Sequence, residues 1–193
     1  MRYILSLLLP EVIDQAIRTN YTQLSGHPLA INHLHVTLLP TFTLKPGYDI
    51  NIVQEMLFGD AGISSAAPRS RVEPNNITER QSYHFGPPAF FYPKVNLIGN
   101  PILYLPVLPP DPLIELNSYL VSHISYLVDF DLSLYDNHQL PPYLPHLSLD
   151  YNFQGNQNAT LTWQLLPPNT TFNLGEPLLF QETTPNQWDK VDL

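Results

Sequence analysis

Pro145-His146-Leu147-Ser148-Leu149-Asp150-Tyr151 repeats the pattern of an earlier stretch, Asn32-His33-Leu34-His35-Val36-Thr37-Leu38-Leu39, and the pair governs how the rest of the chain is read. Each contains His-x-Ser/Thr followed by an apolar residue. In a β-strand successive side chains point to opposite faces, so His35 and Thr37 share one face while Val36 and Leu38 share the other. His146 and Ser148 do the same, backed by Leu147 and Leu149. Two such strands facing each other across a groove present two imidazoles and two hydroxyls to whatever lies between them. That is a setting for acid/base chemistry on an oxyanion.

With seven His and 23 Ser plus Thr in 193 residues, chance supplies about one His-x-Ser/Thr match, and there are three. The third, His123-Ile124-Ser125, lies where Leu113, Leu116, Leu120, Ile124 and Leu127 recur at spacings of three and four, the period of an amphipathic helix. On a helix, positions i and i+2 diverge by about 200°, so His123 and Ser125 cannot converge on one ligand.

Outward from the motifs, the chain falls into two similar halves. Residues 2–9 read as a strand and residues 10–24 as a helix with Pro10 at its first turn and Val12, Ile13, Ala16 and Ile17 on one face. The first motif strand spans about residues 33–41. Asp49 caps a short helix carrying Ile52, Val53, Met56 and Leu57. Residues 59–88 show little periodicity, hold Arg69, Arg71 and Arg80, and read as a long connecting loop. The second half opens with residues 90–98, a Gly99-Asn100-Pro101 turn and residues 102–107, which suggest a hairpin. A helix starts at Asp111-Pro112. The second motif strand runs from His146 to about Tyr151, residues 178–183 form a closing strand, and Trp188-Asp189-Lys190-Val191 is a short tail. The 21 prolines cluster in pairs at 87/88, 109/110, 141/142 and 167/168, in loops between the strands.

Composition narrows the function. Apolar residues make up 44% and charged ones 13%, so the chain can bury a core and reads as one domain over residues 1–193, with halves 1–58 and 89–193. The absence of cysteine excludes disulfides, thiolate metal sites and cysteine nucleophiles, and fits a reducing, cytoplasmic setting. No apolar run approaches a membrane span. The net charge of −9, with only eight Lys plus Arg, argues against gripping a long nucleic-acid duplex but leaves room for a small or short anionic substrate.

The two motifs, with Tyr151, the late strand and the Trp188-Asp189-Lys190-Val191 ending, resemble the two-histidine (2H) phosphoesterases, in particular the cyclic phosphodiesterase and 2'-5' RNA ligase-like branches. The resemblance implies an α+β fold of two pseudo-symmetric lobes, each an antiparallel sheet with outer helices, around a central groove. It further implies a monomer that hydrolyses a cyclic phosphate, such as a 2',3'-cyclic nucleotide, or a 2'-5' phosphodiester, without a cofactor or metal. His35 and His146 would be the general base and acid, with Thr37 and Ser148 donating hydrogen bonds to the phosphoryl oxygens. Asp150 departs from the pattern, since it should share the motif face and sit near a bound phosphate.

Other readings stand beside this one. Tyr143 and Tyr151, and the set Tyr83, Phe85, Phe90, Phe91 and Tyr92, either stack a base or rim at the groove or pack in the core. Arg69, Arg71 and Arg80 either close over a phosphate or line a solvated loop. His33, His35 and His146 with Asp150 nearby have the composition of a metal site in a β-rich enzyme, although the two hydroxyls then lack a role. A non-catalytic nucleotide-binding module would keep the groove and lose the turnover.

Overall fold

The run Tyr3–Leu8 has five of its six residues buried, which requires a strand covered on both faces, and the sheet grows to either side of it. The computed structural model describes residues 1–58, 81–91, 101–132, 140, 142–184 and 187–191. Strands β1 (Tyr3–Leu8), β2 (His35–Leu44), β3 (His84–Phe85), β4 (Ala89–Phe91), β5 (Ile102–Leu108), β6 (Val128–Phe130), β7 (His146–Asp150), β8 (Pro177–Thr184) and β9 (Gln187–Lys190) form one curled antiparallel sheet. The main path runs β3-β5-β7-β2-β1-β8-β9, with β4 paired to β5 and β6 to β2. Helices α1 (Glu11–Ser25), α2 (Ile50–Phe58), α3 (Asp111–Ile124) and the single turn α4 (Gln157–Thr160) complete a mixed α+β fold among the described residues.

Local chemistry sets the helix ends. The Pro10 carbonyl accepts the Ile13 and Asp14 N–H groups at 2.9 and 3.0 Å and starts α1, and Gly26, left-handed at φ 80°, ends it by donating to the Thr22 carbonyl. The helix buries Ile13, Ile17 and Tyr21; Val12, expected on the same face, is 72% exposed because that stripe already fills the contact with the sheet. Asp49 Oδ1 caps α2 by accepting the Asn51 and Ile52 N–H groups, and Val53 and Leu57 are buried. In α3, Leu113, Leu116, Leu120 and Ile124 face the core as their spacing requires, while His123 bonds back to the Tyr119 carbonyl.

Several segments differ from the sequence reading. Trp188 and its neighbours are not a tail but strand β9, paired with β8 through Phe180–Lys190 and Glu182–Trp188. Within the stretch read as a loop, Tyr83 is fully buried, bridges Phe172 and leads into β3. Arg69, Arg71, Arg80, Tyr92 and the Gly99-Asn100 turn, with most of the first strand of the expected hairpin, lie outside the described residues; the described part, β4, pairs antiparallel with β5, Phe91 opposite Ile102.

The main difference concerns the motif strands. They do not face each other across a groove; β2 and β7 are neighbours, paired through Val36 and Leu147, both fully buried. Beyond that rung β2 leaves β7 and, from Phe42 on, pairs with β6. The intervening edge of β2 is closed by side chains. Tyr143 Oη donates to the Thr37 carbonyl at 2.8 Å, and the buried Asn117 amide on α3 donates to the Leu38 carbonyl at 2.6 Å.

A buried carbonyl that loses its donor bears its desolvation cost unrelieved. Asn117→Ala should therefore lower unfolding free energy by about 1–3 kcal/mol. Urea denaturation checks this; a midpoint equal to that of the parent would show that the Leu38 carbonyl does not depend on Asn117.

Candidate active site

Antiparallel register builds the site from the Val36–Leu147 rung. Counted one residue to either side of that rung, antiparallel register assigns His35 to Ser148 and Thr37 to His146, on the face opposite the buried Val36 and Leu147. The four motif side chains therefore occupy the corners of a quadrilateral, with imidazole and hydroxyl alternating and the two imidazoles on a diagonal. Diagonal neighbours in a sheet lie about 7–8 Å apart at their backbones, so both rings reach one small group held between them.

The two rings are anchored alike. His35 Nδ1 meets the carbonyl of His33 at 2.8 Å, and His146 Nδ1 meets the carbonyl of Leu144 at 2.6 Å. A carbonyl only accepts, so each Nδ1 carries the hydrogen, and each neutral ring keeps its free lone pair on Nε2. Burial pushes the pKa of both rings below the usual 6.5. For His35, positive charge on His33 or His146 pushes further in the same direction, against the bond to the His33 carbonyl.

Neighbouring strands supply walls that the motifs do not reveal. Tyr104 on β5 is the register partner of Ser148, and its ring meets the His146 imidazole edge-on at 5.4 Å. Phe91 on β4 meets the same imidazole at 5.7 Å and Tyr104 at 5.6 Å. On the other side Ser6 pairs with Thr37; it is fully buried, and its hydroxyl has no partner among the described residues. The signals were present. Leu103, Leu105 and Val107 alternate as a core face, which leaves Tyr104 on the motif side, and Ser6 is the lone polar residue in an apolar strand.

The other candidates separate cleanly. Tyr151 is 54% exposed, with burial of its hydroxyl end raising its pKa, so Tyr151 stands at the rim. Tyr143 is a brace, its hydroxyl committed to β2. Tyr83 is buried, Phe85 stacks on Phe172 and Phe90 on Phe153, so of the described members of that aromatic set only Phe91 reaches a motif residue. Asp150 does not share the motif face. A register shift sets it opposite the core residue Leu103, where it accepts from Tyr21 Oη of α1 at 3.2 Å and from the Asn152 N–H. No set of three or more His, Asp or Glu among the described residues is grouped to hold a metal ion, and this covers His33, His35 and His146.

No known protein-family model matches this chain, and no curated protein matches it. No helix among the described residues is long and apolar enough to cross a membrane.

The lowered histidine pKa values fix a sign for pH and stability. Below 6.5 the unfolded chain binds protons that the native rings resist, so their contribution is complete above 6.5 and is lost as pH falls through the native values. Unfolding free energy should decline on acidification through that window, and less steeply in the His35→Asn/His146→Asn double variant. Parallel curves for the two proteins would show that the rings titrate as they do in the unfolded chain.

Proposed function

We propose that this chain is a metal-independent phosphodiesterase of the two-histidine kind, acting on a 2',3'-cyclic nucleotide or a related small phosphodiester. The observation that carries the proposal is the quadrilateral of His35, Thr37, His146 and Ser148, with both imidazoles anchored through Nδ1 and both Nε2 atoms left for the substrate. One Nε2 takes a proton from water as it attacks phosphorus. The other, protonated beforehand, gives its proton to the ribose oxygen whose bond to phosphorus breaks. The product is a phosphomonoester and a free hydroxyl, and the histidines have exchanged protonation states. Thr37 and Ser148 donate to the phosphoryl oxygens as their charge grows.

The chain order supports a bilobal reading. Tyr3–Leu8, Glu11–Ser25 and His35–Leu44 run strand, helix, motif strand, and Ile102–Leu108, Asp111–Ile124 and His146–Asp150 follow that order with the short β6 interposed before the motif strand, each pair of strands antiparallel. On this reading the lobes are joined along the Val36–Leu147 rung and the active groove is their seam. Tyr151 and the Phe91–Tyr104 wall offer surfaces on which a base can lie. The net charge of −9 favours a small or short substrate over a long duplex and suits a monomeric cytoplasmic enzyme.

His35→Ala and His146→Ala should each lower kcat on a 2',3'-cyclic nucleotide by about 10²–10⁴-fold, in the presence of a chelator. Groups that act as a unit are not additive, so the double variant should be only slightly worse than the poorer single one. Thr37→Ala and Ser148→Ala should cost less. A folded His→Ala protein with near-full activity would end the assignment. Because burial lowers both histidine pKa values, kcat/KM should be bell-shaped with its limbs displaced to the acid side of 6.5. A profile flat from about pH 5 to 9 would rule out paired proton transfer.

A further inference from the structure

The tautomer of His35 depends on where the His33 carbonyl sits, and the sheet does little to place it. Strand β2 begins at His35, and residues 31–34 precede it without regular ladder bonds; the backbone contact there is a long one, Leu9 N–H to the Leu34 carbonyl at 3.5 Å. Helix α1 holds this segment instead. Arg18 Nη1 donates to the Ile31 carbonyl at 2.7 Å and Nη2 to the Asn32 carbonyl at 2.9 Å, while its Nε pairs with Asp14. Asp14 Oδ2 in turn accepts the Leu34 N–H at 3.3 Å. Residues on both sides of His33 are thus fixed to one planar guanidinium and the carboxylate that orients it.

We propose that Arg18 and Asp14 are positioning residues for His35, acting through the His33 carbonyl to hold the imidazole in its Nδ1–H form with Nε2 free for the substrate. This rests on the reading of His35 as a reacting group. The guanidinium is suited to the task because its rigid fork reaches two adjacent carbonyls at once, which an ammonium on a flexible stem does not. The second motif uses other parts. There the Pro145 carbonyl accepts the Val107 N–H at 3.0 Å and Tyr143 ties the approach to β2, so the Leu144 carbonyl that anchors His146 is independent of Arg18. The brace therefore acts on one histidine of the pair.

The test is a long-range ¹H–¹⁵N spectrum of histidine-labelled protein at a pH where the rings are neutral, recorded for the parent, Arg18→Met and Arg18→Lys. It needs no substrate. The parent should show His35 protonated on Nδ1; both variants should show His35 as a mixture of tautomers, less pronounced for Arg18→Lys, with His146 unchanged. Unchanged His35 signals in a folded variant would overturn the proposal, and should Arg18→Met fail to fold, the same criterion applies to Arg18→Lys. In parallel, kcat on a 2',3'-cyclic nucleotide should fall about 10- to 100-fold with KM little altered, the usual cost of a misplaced catalytic group. A tautomer change in a chain whose parent form hydrolyses no phosphodiester would leave the brace standing and remove the phosphodiesterase reading.

Discussion

The pairing of Val36 with Leu147 is the constraint on which the site depends. It is a single rung between two strands that otherwise belong to different neighbours, β2 to β1 and β6, β7 to β5. Because side chains alternate with a period of two, fixing that rung fixes all four motif residues on the opposite face, and a slip by one would send every one of them into the core. Two fully buried side chains hold it. Around it, the Tyr143 and Asn117 bonds to consecutive β2 carbonyls keep the strand edge satisfied where the ladder stops.

Electrostatics follow from the same placement. The motif face carries neutral donors and imidazoles whose protonation burial resists, and the one carboxylate that strand alternation assigns to it, Asp150, is turned aside by a register shift and tied to Tyr21. Among the described residues, no carboxylate is then paired across the sheet with the four motif side chains. Its proton inventory is set by backbone carbonyls rather than by acidic side chains, since each Nδ1–H is held by the residue two positions before its own histidine.

Much of this was legible in the chain. The helical spacing of Leu113, Leu116, Leu120 and Ile124 dismissed the third motif match, and strand alternation put His35 with Thr37 and His146 with Ser148. What alternation cannot supply is which strands are neighbours, because register depends on contacts far apart in sequence; hence motif strands that the pattern alone sets across a groove are found side by side. Strand alternation misplaces Asp150 because a bulge breaks the period. Tyr104, Phe91 and Ser6 carry no motif, and only the neighbouring strands that present them reveal their part. Of the Arg18 clamp only the i,i+4 pairing with Asp14 has a sequence signature, since its other acceptors are backbone carbonyls that every residue possesses.

On the proposed function, two anchored histidines act on a phosphodiester from opposite sides, which fixes the oxygen that leaves. Following a 2',3'-cyclic nucleotide by ³¹P spectroscopy in the presence of a chelator tests it most directly. Complete conversion to one monoester, either the 2' or the 3' isomer, is expected. No conversion, or both isomers in the proportion of uncatalysed hydrolysis, would contradict it.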